Sequence, residues 1–221
     1  MTKILFLLKE RLYSHAKTSY GLINSATHIA DFLSGEGCEC RIVQVLDANF
    51  IDKEVHEFKP DIVVLEALWC PAYKLKELME LRRYRHILWV IRVHSDIGYL
   101  SAETQGMKLL NDYRELHKKN KLIISMNSKK FVDALSKAME YNFTYLPNVI
   151  TEKEPDIDFL PERHHIDIGC FGAMRLLKNQ CFQAICAMMA ADILEKKLYF
   201  HITPNLGIEK DPVLENLKEL F

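Results

Sequence analysis

Long apolar runs are missing from this 221-residue chain. The apolar stretch 184–191 falls far short of the roughly 18–20 residues that a membrane-crossing helix needs, so no span is expected. Behind Met1-Thr2-Lys3, only Ile4 to Leu8 are apolar before Lys9. That run is below the roughly 7–15 residues of a secretory leader; a first buried strand accounts for it better, and a cytoplasmic protein is expected. Cys-x-x-Cys pairs and zinc-finger spacings are absent from the 6 cysteines at 38, 40, 70, 170, 181 and 186. Their pattern predicts reduced, mostly packed thiols and no metal. An excess of either charge is lacking too: 29 Lys and Arg stand against 30 Asp and Glu. This balance, with a pI near 6.8, excludes a broad basic nucleic-acid surface. Neither Gly-x-Gly-x-x-Gly nor a P-loop occurs, which counts against a dinucleotide-dependent reductase and a P-loop kinase.

What is present is a soluble-protein composition, 49% apolar and 27% charged, with strand and helix signals in alternation. Short apolar runs at 3–8, 40–46, 61–66, 86–93, 121–126 and 143–146 predict strands buried on both faces. Helical spacing predicts helices over 18–34, 50–58, from Pro71 as a first-turn residue, over 101–119, and from Asn127 or Ser128 through 139. Strands separated by helices of this length imply right-handed crossovers and a doubly wound, Rossmann-like parallel sheet over 1–148. Residues 149–165 hold Pro155 and Pro161 and little periodicity, and predict a linker. A second α/β unit is expected over 166–221: strand 166–171, loop 172–178, helix 179–194, strand 197–202 and a helix opened by Pro212. A typical domain has about 100–150 residues, so this second unit is expected to be incomplete. A further stretch of chain or a second copy would complete it.

In such a sheet, ligands bind beyond the carboxyl ends of the strands. The loop after the first strand carries Lys9, Arg11, Tyr13, Ser14, His15 and Lys17 and runs into a helix N-terminus, which suits an anion or is simply a solvated loop. Trp69, after the third strand, is expected in the core. The fourth strand delivers His94, Ser95 and Asp96 into the crevice, with Gly98 nearby. Three adjacent residues cannot converge as a hydrolase triad, which leaves His94 as the candidate. The richest segment is 169–179, where a strand ends at Gly172, and Arg175, Lys178 and Asn179 stand at the entrance of a helix. Close backbone approach, helix N–H groups and two cations favour a diphosphate there.

Three of these segments together resemble the GT-B glycosyltransferases of the retaining, nucleotide-sugar-dependent type (family 4-like). Phe171-Gly-Ala-Met-Arg-Leu-Leu-Lys-Asn179 is similar to the G-R-L-x-x-x-K-G/N segment that opens their second domain. Tyr145-Leu-Pro-Asn148 looks like the I-P-N that closes their first, and Val93-His94 resembles their strand-end histidine. The resemblance implies two Rossmann-like domains and transfer of a sugar from a nucleoside-diphosphate sugar to an acceptor, with retention and with neither metal nor cofactor. It gives the donor diphosphate to Gly172, Arg175, Lys178 and Asn179, and it sets the catalytic candidate His94 against the transferred sugar. Ser14, His15, Lys17, Tyr20, Gly21, Ser95 and Asp96 would line the cleft and acceptor, with Tyr20-Gly21 where the family has Gly-Gly.

The family also carries two glutamates, with seven residues between them, late in the second domain. Here only Glu154 and Glu162 have 7 residues between them, and both lie in the linker, so that half of the donor site is expected beyond Phe221. A non-catalytic ligand- or partner-binding relative of such an enzyme is the alternative. The acceptor stays open among lipid, polysaccharide, protein, small molecule and modified nucleic-acid base.

Overall fold

The structure, a computed structural model, describes residues 1–10, 20–102, 105–118, 121–150, 163–172, 174, 178–203 and 211–221. It divides into two units, Met1–Glu152 and Lys153–Phe221.

The first unit holds β1 (Lys3–Lys9), α1 (Tyr20–Gly35), β2 (Glu39–Val45), α2 (Ile51–Phe58), β3 (Ile62–Glu66), α3 (Ala72–Glu80) and β4 (Leu88–Val93). It continues with α4 (Ile97–Ala102), α5 (Gly106–His117), β5 (Leu122–Met126), α6 (Lys129–Met139) and β6 (Thr144–Tyr145). All six strands are parallel, in the order β2-β1-β3-β4-β5-β6. The fold class expected from the sequence, an α/β protein with a Rossmann-like parallel sheet, is what the first unit shows.

The apolar runs form strands because both sheet faces are covered. Ile4 to Leu8 of β1 are all buried, and their side chains alternate across the sheet. Ile4, Phe6 and Leu8 join Val64, Val90 and the α1 residues Ala26, Ile29 and Ala30. Leu5 and Leu7 join Val63, Leu65, Trp89, Ile91 and Ile124 in a larger core closed by side chains of α2, α3, α5 and α6. Each such Leu or Ile contributes about 1.5–3 kcal/mol on full burial. Among the described residues, no helix is long and apolar enough to cross a membrane.

Three local expectations change. The single helix expected over 101–119 is two, α4 and α5, because Gln105 (φ −127°, ψ 1°) leaves helical geometry ahead of a buried Gly106. Pro71 is the N-cap of α3, in extended backbone, rather than a first-turn residue. The linker starts later than 149, since Val149 packs on the α1 side of the core; its remainder, 151–162, lies outside the described residues. All six cysteines are free; Cys70 and Cys170 are buried, Cys38, Cys40 and Cys181 half-buried and Cys186 exposed.

An exposed ion pair ties α2 to the turn after α3. Arg83 Nη2 donates to Asp52 Oδ1 at 2.7 Å and Oδ2 at 2.9 Å, and Tyr84 Oη donates to Asp52 Oδ1 at 2.7 Å. The Arg83 hydrogen bond, first among the causes, holds the Asp52 carboxyl below its ordinary range. A depressed carboxylate contributes stability that is present above the unfolded pKa, about 3.9, and lost as pH falls through the folded one. Arg83→Ala is therefore expected to lower the urea midpoint at pH 7, with the difference from the parent closing near pH 2. A gap that persists at pH 2 would assign the loss to packing instead.

The second unit contains β7 (His165–Cys170), α7 (Gln180–Ile193), β8 (Lys197–Ile202) and α8 (Pro212–Lys218). β7 pairs with β8 in parallel, in register from His165 with Lys197 to Cys170 with Ile202. Phe200 and Ile202 pack with Met174, Ala184, Val213 and Leu217 into a small core. Asp211 caps α8, accepting from Val213 N at 2.9 Å and Leu214 N at 3.4 Å, with Pro212 in the first turn. The other sheet face is polar. His201 Nε2 lies 2.8 Å and His165 Nε2 3.2 Å from the Asp167 carboxylate, which sits below its usual range chiefly through the His201 hydrogen bond.

Candidate functional site

Strand order reverses at β1: α1 covers one sheet face, while α2, α3, α5 and α6 cover the other. A reversal of this kind opens a crevice at the carboxyl ends of the strands, the default ligand position in open α/β sheets. Two charged residues occupy strand positions that face this end. Glu66 closes β3, Arg92 sits one residue before the end of β4, and the register sets them opposite each other.

The chain turns sharply after Glu66. Ala67 adopts φ 74°, a left-handed conformation that costs an alanine about 1–2 kcal/mol. Its N–H still reaches Arg92 O at 2.9 Å, so the ladder continues while the backbone leaves the strand. Non-glycine backbone strain of this sort clusters at functional sites.

Glu66 and Arg92 are both 0% exposed. Arg92 Nη1 donates to Glu66 Oε1 at 3.1 Å and Oε2 at 3.3 Å. Arg92 Nη2 donates to Asn148 Oδ1 at 2.9 Å and Ser25 Oγ at 3.1 Å, and Ser25 Oγ donates to Asn148 Oδ1 at 3.0 Å. His94 Nε2 bonds Glu66 Oε2, the oxygen that Arg92 reaches at the longer distance. Five side chains from α1, β3, β4, the residue after β4 and the segment after β6 thus form one network. Burying either charge alone would cost several kcal/mol, and their mutual contact with added hydrogen bonds offsets this. Arg92 Nε has no partner among the described residues.

A second polar contact is buried in the larger core. Tyr113 Oη donates to the Cys70 carbonyl, and burial raises both the phenol and the Cys70 thiol, the latter to about 12. A thiol held that high is an inert packing group at neutral pH. Trp69, expected in the core, is half-buried and packs against it.

His94, the catalytic candidate, is half-buried, with 13% of its side chain exposed; Asn148 is the exposed member of the network, and Glu66 and Arg92 are its closed centre. Ser95 and Asp96 follow it at the entrance of α4. Gly21 lies in the first turn of α1, which Tyr20 begins, and a Cβ on it would meet nothing within 4 Å. Ser14, His15, Lys17 and Arg175 lie outside the described residues. In the second unit, Gly172 follows β7 with φ 105°, and a Cβ there would stand 2.7 Å from Lys178 Nζ. Lys178 therefore lays its ammonium over the bare backbone of Gly172. Asn179 is the N-cap of α7 (φ 52°, ψ 38°) and gives that helix no side-chain cap.

Glu66, Arg92 and Ser25 were not among the residues that the sequence singled out. The signal for Glu66 and Arg92 is a charge in an otherwise apolar strand, in Ile62-Val-Val-Leu-Glu66 and Leu88-Trp-Val-Ile-Arg-Val93, while Ser25 in α1 carries none. Among the described residues, no group of His, Cys, Asp and Glu could hold a metal ion. No protein-family model matches the chain, and no curated protein matches it.

Proposed function

We propose that this chain carries the acceptor-side domain and the donor-diphosphate end of a GT-B glycosyltransferase, one that moves a sugar from a nucleoside-diphosphate sugar to an acceptor with retention and without a metal. The observation that carries the reading is the turn after β7. Gly172 occupies a backbone conformation that favours glycine, and Lys178 Nζ lies where a side chain would otherwise stand. A cation against exposed backbone, at the entrance of a 14-residue helix without a side-chain cap, is a place for phosphate oxygens.

In this reading the bond between the anomeric carbon and the diphosphate breaks, and charge develops on the leaving nucleotide. Lys178, with Arg175 from the same segment, stabilises that charge, the part a metal plays elsewhere. By the family resemblance, His94 is the residue assigned to the transferred sugar. The resemblance of 145–148 and 171–179 to the family supports this assignment of roles.

The test is calorimetric titration of UDP, GDP and ADP into the full chain. One nucleotide is expected to bind, and Lys178→Ala to weaken it at least tenfold, equal to about 1.4 kcal/mol. Gly172→Ala is expected to act in the same direction, because its Cβ displaces the ammonium. Absence of binding by all three nucleotides, or unchanged affinity in Lys178→Ala, overturns the donor assignment. Turnover of a panel of nucleotide sugars by the full-length protein then separates a transferase from a binding protein built on the same site.

A further inference from the structure

His94 bonds Glu66 through Nε2, and that contact decides what the other ring nitrogen can do. We propose that Glu66 is a positioning residue: it fixes His94 as the Nε2–H tautomer, so that Nδ1 becomes a hydrogen-bond acceptor for a ligand hydroxyl at the carboxyl end of β4. The identity of that hydroxyl, on a sugar or an acceptor, rests on the transferase reading; the tautomer does not.

Two facts exclude the other protonation patterns. An ionised carboxylate only accepts, so the ring nitrogen that meets Glu66 Oε2 carries a proton, which rules out the Nδ1–H tautomer. The doubly protonated ring is disfavoured by charge. Glu66 already faces the Arg92 guanidinium at 3.1 Å, with both side chains wholly buried, and the pair is neutral. A second cation on the same carboxylate would stand without a counter-charge of its own. Arg92 thereby separates this arrangement from a simple carboxylate–histidine dyad, in which the carboxylate stabilises an imidazolium. Ser25 and Asn148 hold the far side of the guanidinium, so the orientation of Arg92, then Glu66, then the imidazole is fixed in sequence. A ring held by one nitrogen presents the other in a set direction, as when second partners orient metal-binding histidines. Nδ1 then accepts from a hydroxyl, or takes its proton, without having to lose a proton first.

The experiment is long-range 1H–15N correlation of the uniformly 15N-labelled full chain at pH 7.5, with His94 assigned by the signals lost in His94→Gln. The expected pattern is a pyridine-like Nδ1 and a pyrrole-like Nε2. The reverse pattern, or two pyrrole-like nitrogens, overturns the proposal. In Glu66→Gln, the carboxamide oxygen stays with Arg92 and its NH2 turns to the ring, so the two His94 nitrogens are expected to exchange character; an unchanged tautomer in a folded Glu66→Gln also overturns it. Should that variant fail to fold, the parent spectrum alone decides. A wrong tautomer leaves nucleotide binding at Lys178 untouched, and failure of nucleotide titration leaves the tautomer untouched, so the two readings fail separately.

Discussion

Replacing Glu66 by leucine is expected to cost the first unit about 3–5 kcal/mol, the range for breaking a buried ion pair from one side. The reason lies in what remains. Arg92 cannot give up its proton at any accessible pH, and in Glu66→Leu it would stay wholly buried with only the neutral oxygens of Ser25 and Asn148 around it. The reverse single change is milder. In Arg92→Met the orphaned carboxylate keeps His94, which can take up a proton and supply the missing charge. Removing both charges, as Glu66→Leu with Arg92→Met, is expected to recover most of the loss, because apolar side chains of similar volume then fill the space. Urea unfolding of the four proteins at pH 7 measures all three differences. A loss of less than about 1 kcal/mol in Glu66→Leu, the value of an exposed pair, would show that water reaches the site.

Trp89→Ala is the other large change, at about 3–5 kcal/mol. Trp89 is 0% exposed and sits in β4 with Val63 of β3 on one side and Leu122 of β5 on the other. Its removal leaves a void in the middle of the larger core, which a sheet held on both flanks cannot collapse to fill. Trp89→Phe is expected to cost less than about 1.5 kcal/mol. The indole N–H has no partner among the described residues, so its loss relieves an unsatisfied donor while a smaller ring keeps part of the contact. Circular dichroism in urea reads both variants without relying on tryptophan fluorescence. Equal losses in the two would show that the indole N–H is satisfied.

Most of the first unit is legible in the residues alone, because its apolar runs are short, separated and free of internal Gly and Pro. Ile4 to Leu8 or Ile62 to Leu65 suit only a strand covered on both faces, and helices between them leave only parallel order. The division between α4 and α5 was not readable in this way, since the break depends on one backbone conformation at Gln105. The Glu66–Arg92 pair was hidden for a different reason. Charges at strand ends ordinarily point to solvent, and only the register between β3 and β4 shows that these two face each other. His94 was visible from its place one residue past β4, yet what it can do depends on Glu66, 28 positions earlier. Gly172 and Lys178 were visible because a strand-to-helix turn with one glycine and a lysine six residues on leaves few other uses.

The strand order also has a consequence for how the sheet is assembled. β2 pairs with β1, and each later strand joins the exposed flank of the one before it, with β3 taking the free side of β1. No strand must wedge itself between two that are already joined. A chain emerging from the ribosome can therefore lay down this sheet in the order of synthesis, each strand meeting a template already in place, and β1 is never required to reopen.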